Sequence, residues 1–171
     1  MSFLPDKYEI PEGSRKYMRL EEGKTKLRIV SSAIVGWEWW TDTPEGGRKP
    51  VRVKSKEEVK QDDAKHFWAF VVWNYETESF QIMEVTQKTI MHSVNALVAD
   101  EAWGNPNEYD IVITRKGKAL DTEYTVMPNP KKEFKEDTAE LANINLEALY
   151  ENEDPFASEN VEPIEVLDGT V

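Results

Sequence analysis

The 171-residue chain has no cysteine. That excludes disulfides, thiolate-bound metal sites and a cysteine nucleophile, and it is compatible with a reducing compartment. Histidine is nearly absent as well. His66 and His92 are the only two, and their spacing is not that of metal ligands. No apolar run approaches the ~20 residues needed to cross a bilayer, so no membrane partner is expected. The first residues, Met1 to Asp6, lack a basic segment followed by an apolar run, and no secretory signal is expected. A phosphate-cradling glycine loop is missing too, because Gly46-Gly47 reads as a simple turn. The carboxylate pairs Glu21-Glu22, Glu57-Glu58 and Asp62-Asp63 lie in polar stretches and read as solvated faces. There is no internal repeat. These absences argue against an enzyme, imply no cofactor and no metal, and point to a soluble cytoplasmic protein of one domain.

What is present is acidic, with a formal net charge of −12. That total alone would disfavour a nucleic-acid partner, but the charge is unevenly distributed. Residues 133–171 hold twelve acidic residues against one basic residue, Lys135. Residues 1–132 hold 20 basic and 21 acidic residues and are close to neutral. Such asymmetry marks an interaction tail attached to a near-neutral body.

Along the chain, residues 1–26 read as an irregular polar arm with an Arg15-Lys16 pair. Residues 27–40 are rich in β-branched and aromatic side chains, a strand signal, with Gly36 marking a bulge or sharp bend. Residues 41–50 form a loop, 51–54 a short extended segment, and 55–65 a helical turn or mobile connection. A hairpin of residues 66–75 and 79–85 follows. Ile90, Val94, Leu97 and Val98 then fall at helical spacing, with Thr86 as the expected N-cap. A second hairpin pairs 110–114 with 123–127 around Arg115-Lys116-Gly117-Lys118. About five strands with one helix before the last pair fit a mainly β fold, the five-stranded Greek-key barrel of the oligonucleotide/oligosaccharide-binding (OB) architecture. The expected organisation is an arm over 1–26, a barrel domain over 27–130 and a disordered acidic tail over 131–171. Within that tail, residues 138–150 could form a short amphipathic helix through Leu141, Ile144, Leu146 and Leu149.

The segment His66 to Tyr75 carries the functional signal. Alternate residues of a strand face opposite ways. One face would hold Phe67, Ala69, Val71, Trp73 and Tyr75, the other His66, Trp68, Phe70, Val72 and Asn74. Both faces are therefore aromatic. Either both are buried, or one waits for a flat ligand such as a nucleic-acid base. Because His66 and Asn74 share parity with Trp68 and Phe70, that face is expected to be the open one. Trp37, Trp39 and Trp40 again occupy both sides of one strand. Any single ring belongs more readily in a core. As a set, these rings offer more aromatic surface than a small barrel can hold, and bases stack on such rings for roughly 1–3 kcal/mol each.

Basic residues lie beside this surface. Arg48, Lys49, Arg52, Lys54 and Lys56 flank the tryptophan strand, and Arg115, Lys116 and Lys118 lie in the last hairpin. Loops flank the ligand face of this architecture, and cations there would track phosphates. Ordinary solvated loop charge is the competing reading for each lysine. The acidic tail contains Asp154-Pro155-Phe156. A polyanion with occasional aromatics could occupy the chain's own basic groove, dock on a partner, or simply keep the protein soluble.

Lys26 to Val30 leading to Gly36-Trp37-Glu38-Trp39-Trp40, and then His66 to Tyr75, resemble the bacteriophage single-stranded DNA-binding proteins. Tyr109-Asp110-Ile111 through Arg115-Lys116-Gly117 to Thr122–Val126 is similar to the closing hairpin of that group. The resemblance spans residues 26–130. It implies an OB fold, cooperative coating of single strands during phage replication or recombination in the host cytoplasm, and an acidic tail that recruits replication and recombination proteins. Here Asp154-Pro155-Phe156 is followed by fifteen further residues rather than ending the chain.

The expected site is thus a stacking set of Trp37, Trp39, Trp40, Trp68 and Phe70. Phosphate contacts are expected from Arg48, Lys49, Arg52, Lys54, Arg115 and Lys116, and partner contacts from Asp154, Pro155 and Phe156. The rival is an acidic accessory factor whose aromatic face docks a protein. More distant is an oligosaccharide binder, against which the clustered cations argue mildly.

Overall fold

The computed structural model describes residues 3–8 and 16–156. Arg15 and residues 157–171 of the expected tail lie outside the described residues. Seven strands form one antiparallel sheet: β1 (Gly23–Ile29), β2 (Ile34–Asp42), β3 (Arg48–Val53), β4 (Lys65–Asn74), β5 (Ser79–Val85), β6 (Ile111–Lys116) and β7 (Glu123–Pro128). The order is β3-β2-β4-β1-β6-β7, with β5 on the opposite edge of β4. One helix, α1 (Lys88–Ala99), separates the two hairpins. The fold is mainly β, as expected, but among the described residues the sheet has seven strands rather than five.

The extra strands have a local cause. The chain does not bend at Gly36, which lies inside β2, but at residues 30–33, which split the expected 27–40 strand in two. β1 and β2 then share one edge of β4: Ile29 lies opposite Val72, and Ile34 opposite Ala69. Gly36 is needed for space instead. A Cβ there would sit 2.3 Å from the Val53 carbonyl oxygen and 3.0 Å from the Phe67 ring. The loop expected over 41–50 is shorter, because residues 48–50 join β3. Barrel closure is not seen among the described ladders, since β5 and β7 do not pair. At Ile82 the free edge of β5 is taken by the N-terminal arm, whose Lys16 carbonyl accepts from the Ile82 N–H and whose Met18 N–H donates to the Ile82 carbonyl. That contact gives residues 16–18 of the expected irregular arm a fixed place.

β4 is buried on both faces. Phe70 and Val72 lie under Ile90, Met91 and Val94 of α1 together with Leu27 and Ile111. The helix starts one residue later than expected, with Gln87 rather than Thr86 at its N-cap. On the reverse face, Phe67, Ala69 and Val71 pack against Phe134, Leu141, Ile144 and Leu149. The acidic C-terminal segment is therefore not a disordered tail over residues 134–156. Four of its apolar side chains, Leu141, Ile144, Leu146 and Leu149, are at most 4% exposed. They are the four assigned to an amphipathic helix, but they sit on two 3₁₀ turns, Ala139–Asn143 and Leu146–Glu151, separated by an extended residue at Ile144. The sheet bed, rather than helical propensity, sets their spacing.

A buried ion pair ties the start of this segment to the sheet. Arg28 of β1 is 1% exposed and donates to the Asp110 carboxylate at 2.7 Å, the Asn107 carbonyl at 2.6 Å and the Lys132 carbonyl at 2.9 Å. The Tyr75 hydroxyl donates to the same Asp110 oxygen at 2.7 Å. Burial and the neighbouring carboxylate raise the Tyr75 phenol far above its ordinary value.

Leu141→Ala should cost about 2–5 kcal/mol through the cavity it leaves, and truncation after Lys132 should abolish cooperative urea unfolding. An unchanged midpoint for either variant would contradict the second layer. Arg28→Met should cost about 3 kcal/mol, because it takes the buried cation from Asp110 and leaves that carboxylate only the Tyr75 hydroxyl and the more distant Lys26 ammonium, and the same denaturation series checks it.

Candidate nucleic-acid interface

Antiparallel pairing assigns each side chain of the β2–β3 ribbon to a face. Trp37 lies opposite Val53, Trp39 opposite Val51 and Thr41 opposite Lys49, so these share one side. Glu38, Trp40 and Asp42 share the other side with Arg52, Pro50 and Arg48. Pairing with β4 extends both surfaces. Trp37 and Val35 continue into His66 and Trp68, whereas Gly36 lies opposite Phe67 on the reverse side.

The reverse side is where the acidic segment docks. Arg52 contacts Glu38 and Glu84 at 3.3 Å each and donates to the Leu149 carbonyl. Lys54 pairs with Glu147 at 3.1 Å and lies over the Tyr150 ring. The Tyr150 hydroxyl donates to the Val35 carbonyl, and the Asn152 amide to the Pro50 carbonyl. Two of the expected phosphate contacts, Arg52 and Lys54, are therefore engaged by the chain itself. So is Arg115, which donates to the Leu20 carbonyl at 2.8 Å. Asp154, Pro155 and Phe156 are docked as well. Asp154 faces Lys16 at 3.9 Å, the Pro155 carbonyl accepts from the Asn145 N–H, and Phe156 meets Tyr17 edge-on at 6.0 Å. Recruitment of a partner through these three residues would require them to leave the body.

The aromatic set divides by burial. Phe70 and Trp39 are 4% and 6% exposed and offer no face to a base, which corrects the expectation that Phe70 lies on an open surface. Parity placed Phe70 beside His66, but α1 lies over that part of the face. Trp73 is packed edge-on against Phe80 and Phe134, on the core side where it was expected. Trp68 is half-buried and lines an apolar cleft of about 380 Å³ between α1 and the ends of β1 and β2. Trp37 is partly exposed, with His66 at 4.9 Å and the Lys56 ammonium 5.7 Å above its ring. Trp40 is 46% exposed on the reverse side of the ribbon. Lys49 and Lys116 are exposed, as is Arg48, which donates to the Trp40 carbonyl at 3.3 Å and makes a long contact with exposed Asp42. The accessible set is thus Trp37, Trp40, Arg48, Lys49 and Lys56, gathered on or beside the ribbon. Lys116 stands apart on the last hairpin. Among the described residues no cluster of His, Cys, Asp and Glu could hold a metal, and no helix is long and apolar enough to cross a membrane.

A feature not anticipated from the sequence is the carboxyl pair Glu38–Glu84 beneath the docked segment. Burial, followed by the hydrogen bond and charge of Glu84, pushes the Glu38 carboxyl up to about 8, with Arg52 opposing. The Glu84 Oε1 atom is buried with no hydrogen-bond partner in the structure. A carboxyl whose folded value is raised stabilises the fold fully below the ordinary carboxylate range and loses that contribution as pH rises through the folded value. Glu38→Gln should therefore match the wild type in melting temperature near pH 4. It should exceed the wild type by a margin that widens up to about pH 8. A margin independent of pH, measured by calorimetry across that window, would show that Glu38 is not protonated in the fold.

No protein-family model and no solved structure matches the chain. Over 140 aligned residues it is 26% identical to the "Probable ssDNA-binding protein" of Escherichia phage T5, covering 65% of this chain and 54% of that protein. The chain spans about half the length of the curated relative it matches. It is similar to a phage single-stranded DNA-binding protein, the group that its Gly36–Trp40 and His66–Tyr75 segments also resemble.

Proposed function

We propose that the protein binds single-stranded DNA without sequence preference and acts as a non-enzymatic coating factor in phage replication or recombination, in the host cytoplasm. The likeness to the phage T5 protein carries this reading. The order of hairpin, helix and hairpin supports an open form of the OB architecture, with β1 and β2 acting as one long bent strand. In that architecture the face of the second and third strands, here β4 and β5, holds the ligand. Residues 134–156 cover that face here, which favours the β2–β3 ribbon beside it.

On this reading Trp37 and Trp40 stack bases, while Arg48, Lys49 and Lys56 meet phosphates. The exposed carboxylates of Glu140, Glu151 and Glu153, with those beyond residue 156, are where replication and recombination proteins would be recruited. They also repel stray polyanions from the docked face. Whether the acidic residues beyond 156 compete with DNA is read by deleting 157–171, a change that leaves the second core layer in place.

Oligo-dT should quench tryptophan emission and saturate at a defined length. Trp37→Ala and Trp40→Ala should each weaken binding about 5- to 100-fold, as expected when one stacked base is lost. Replacing Lys49 and Lys56 together should lower the slope of log affinity against log salt by about 1.4. Absence of quenching at low salt would instead favour a protein-docking module.

A further inference from the structure

We infer that the cleft between α1 and the ends of β1 and β2 takes one base of the bound strand, turned out of its stack beside the base on Trp37. This rests on the reading of the protein as a single-strand binder and adds a site to it. The cleft continues the ribbon surface. Trp37 lies opposite His66 and Val35 opposite Trp68, so these four side chains share one face of the sheet. Trp68 is thus the diagonal neighbour of Trp37 across the ladder, with backbones about 7–8 Å apart. Nucleotides in a stacked helix rise only about 3.4 Å each. A strand with one base on Trp37 and the next in the cleft has therefore unstacked between them, which a duplex cannot do without opening.

The lining suits a base rather than a phosphate. Trp68 is half-buried there with Phe70, and Val35 and Val98 are 47% and 45% exposed at the rim. None of the lining residues carries a charge. An uncharged flat ring enters such a site at little cost, whereas a phosphate would lose its hydration with no cation to replace it. Asn95 and Asn105 border the cleft with exposed side chains, and each amide offers donors and an acceptor to a base edge. The volume of about 380 Å³ falls among those of small-ligand sites. Beyond Val98 stand the exposed carboxylates of Asp100 and Glu101. They repel phosphate from the helix end, so the base goes in and its backbone stays on the ribbon side.

Photocrosslinking of the full chain tests this. Oligo-dT carrying 5-iodouracil in place of single thymines is bound at low salt and irradiated, and the adducts are located by mass spectrometry. They should fall on Trp68 as well as on Trp37. Val98→Glu, at an exposed rim position, should abolish the Trp68 adducts, keep those on Trp37 and weaken oligo-dT binding about 5- to 100-fold, as for one lost stacked base. Ala99→Glu adds the same charge one residue further on, outside the lining, and should bind like the wild type. Circular dichroism checks that both variants remain folded, and the wild-type adduct map decides the question without them. Strand binding with adducts on Trp37 and none on Trp68 would overturn the cleft site and leave the proposed function standing. So would equal weakening by Val98→Glu and Ala99→Glu, which would mark repulsion by charge alone. No binding of oligo-dT at low salt would overturn both.

Discussion

A strand with large apolar side chains on both faces must be covered twice, and the rest of this protein is arranged to do so. The ladders to β1, β2 and β5 fix which way each β4 side chain points, so Phe67 and Val71 cannot turn toward the helix side, nor Phe70 and Val72 away from it. Helix α1 supplies one cover, as a single helix in a small sheet fold usually does. The other comes from residues 134–156, which have no regular helix or strand of their own and gain their order from the sheet. Each large apolar side chain buried there contributes roughly 1.5–3 kcal/mol, and hydrogen bonds within the segment, such as Asn145 N–H to the Pro155 carbonyl, add to its order.

The same segment decides which surface is free. Its apolar residues face inward and its carboxylates outward, so it is both a core layer and the acidic rim of the molecule. Where the rim crosses the β2–β3 ribbon it meets Arg52 and Lys54, and at its end it meets Lys16. Those contacts engage Arg52 and Lys54 on one side of the ribbon, where Arg48 and Trp40 stay exposed, and leave Trp37, Lys49 and Lys56 uncovered on the other. Arg28 secures the arrangement at its start, joining β1, the 107–110 connection and Lys132 through one planar guanidinium. Arginine suits this role because its fork of donors can meet several acceptors at once while remaining charged.

Much of the fold was legible because periodicity is a local property. Both hairpins, the helix and the residues it buries, Ile90 and Val94, follow from spacing alone. The double-sided character of His66–Tyr75 was also visible, including the alternative in which both faces are buried. The break at residues 30–33 was missed because Gly36 is the conspicuous breaker and Ser31-Ser32 is not. Yet Ser31 is the residue that turns inward, its hydroxyl accepting from the Val71 N–H. Leu141, Ile144, Leu146 and Leu149 suggest a short amphipathic helix within a tail whose mean charge suggests disorder, and neither signal shows that they pack on the sheet. Composition averages over faces, whereas burial acts on one face at a time.

The sequence by itself determined strand and helix identities, the near-neutral body, the absence of thiol chemistry and the aromatic excess on β2 and β4, all of which depend on residues close together in the chain. Only the tertiary structure decided which rings remain accessible, which cations are already paired, and that the acidic segment completes a core. Those outcomes depend on contacts such as Arg52 with Leu149 and Lys54 with Glu147, between residues roughly a hundred positions apart. No local pattern encodes which distant surface a given side chain will meet.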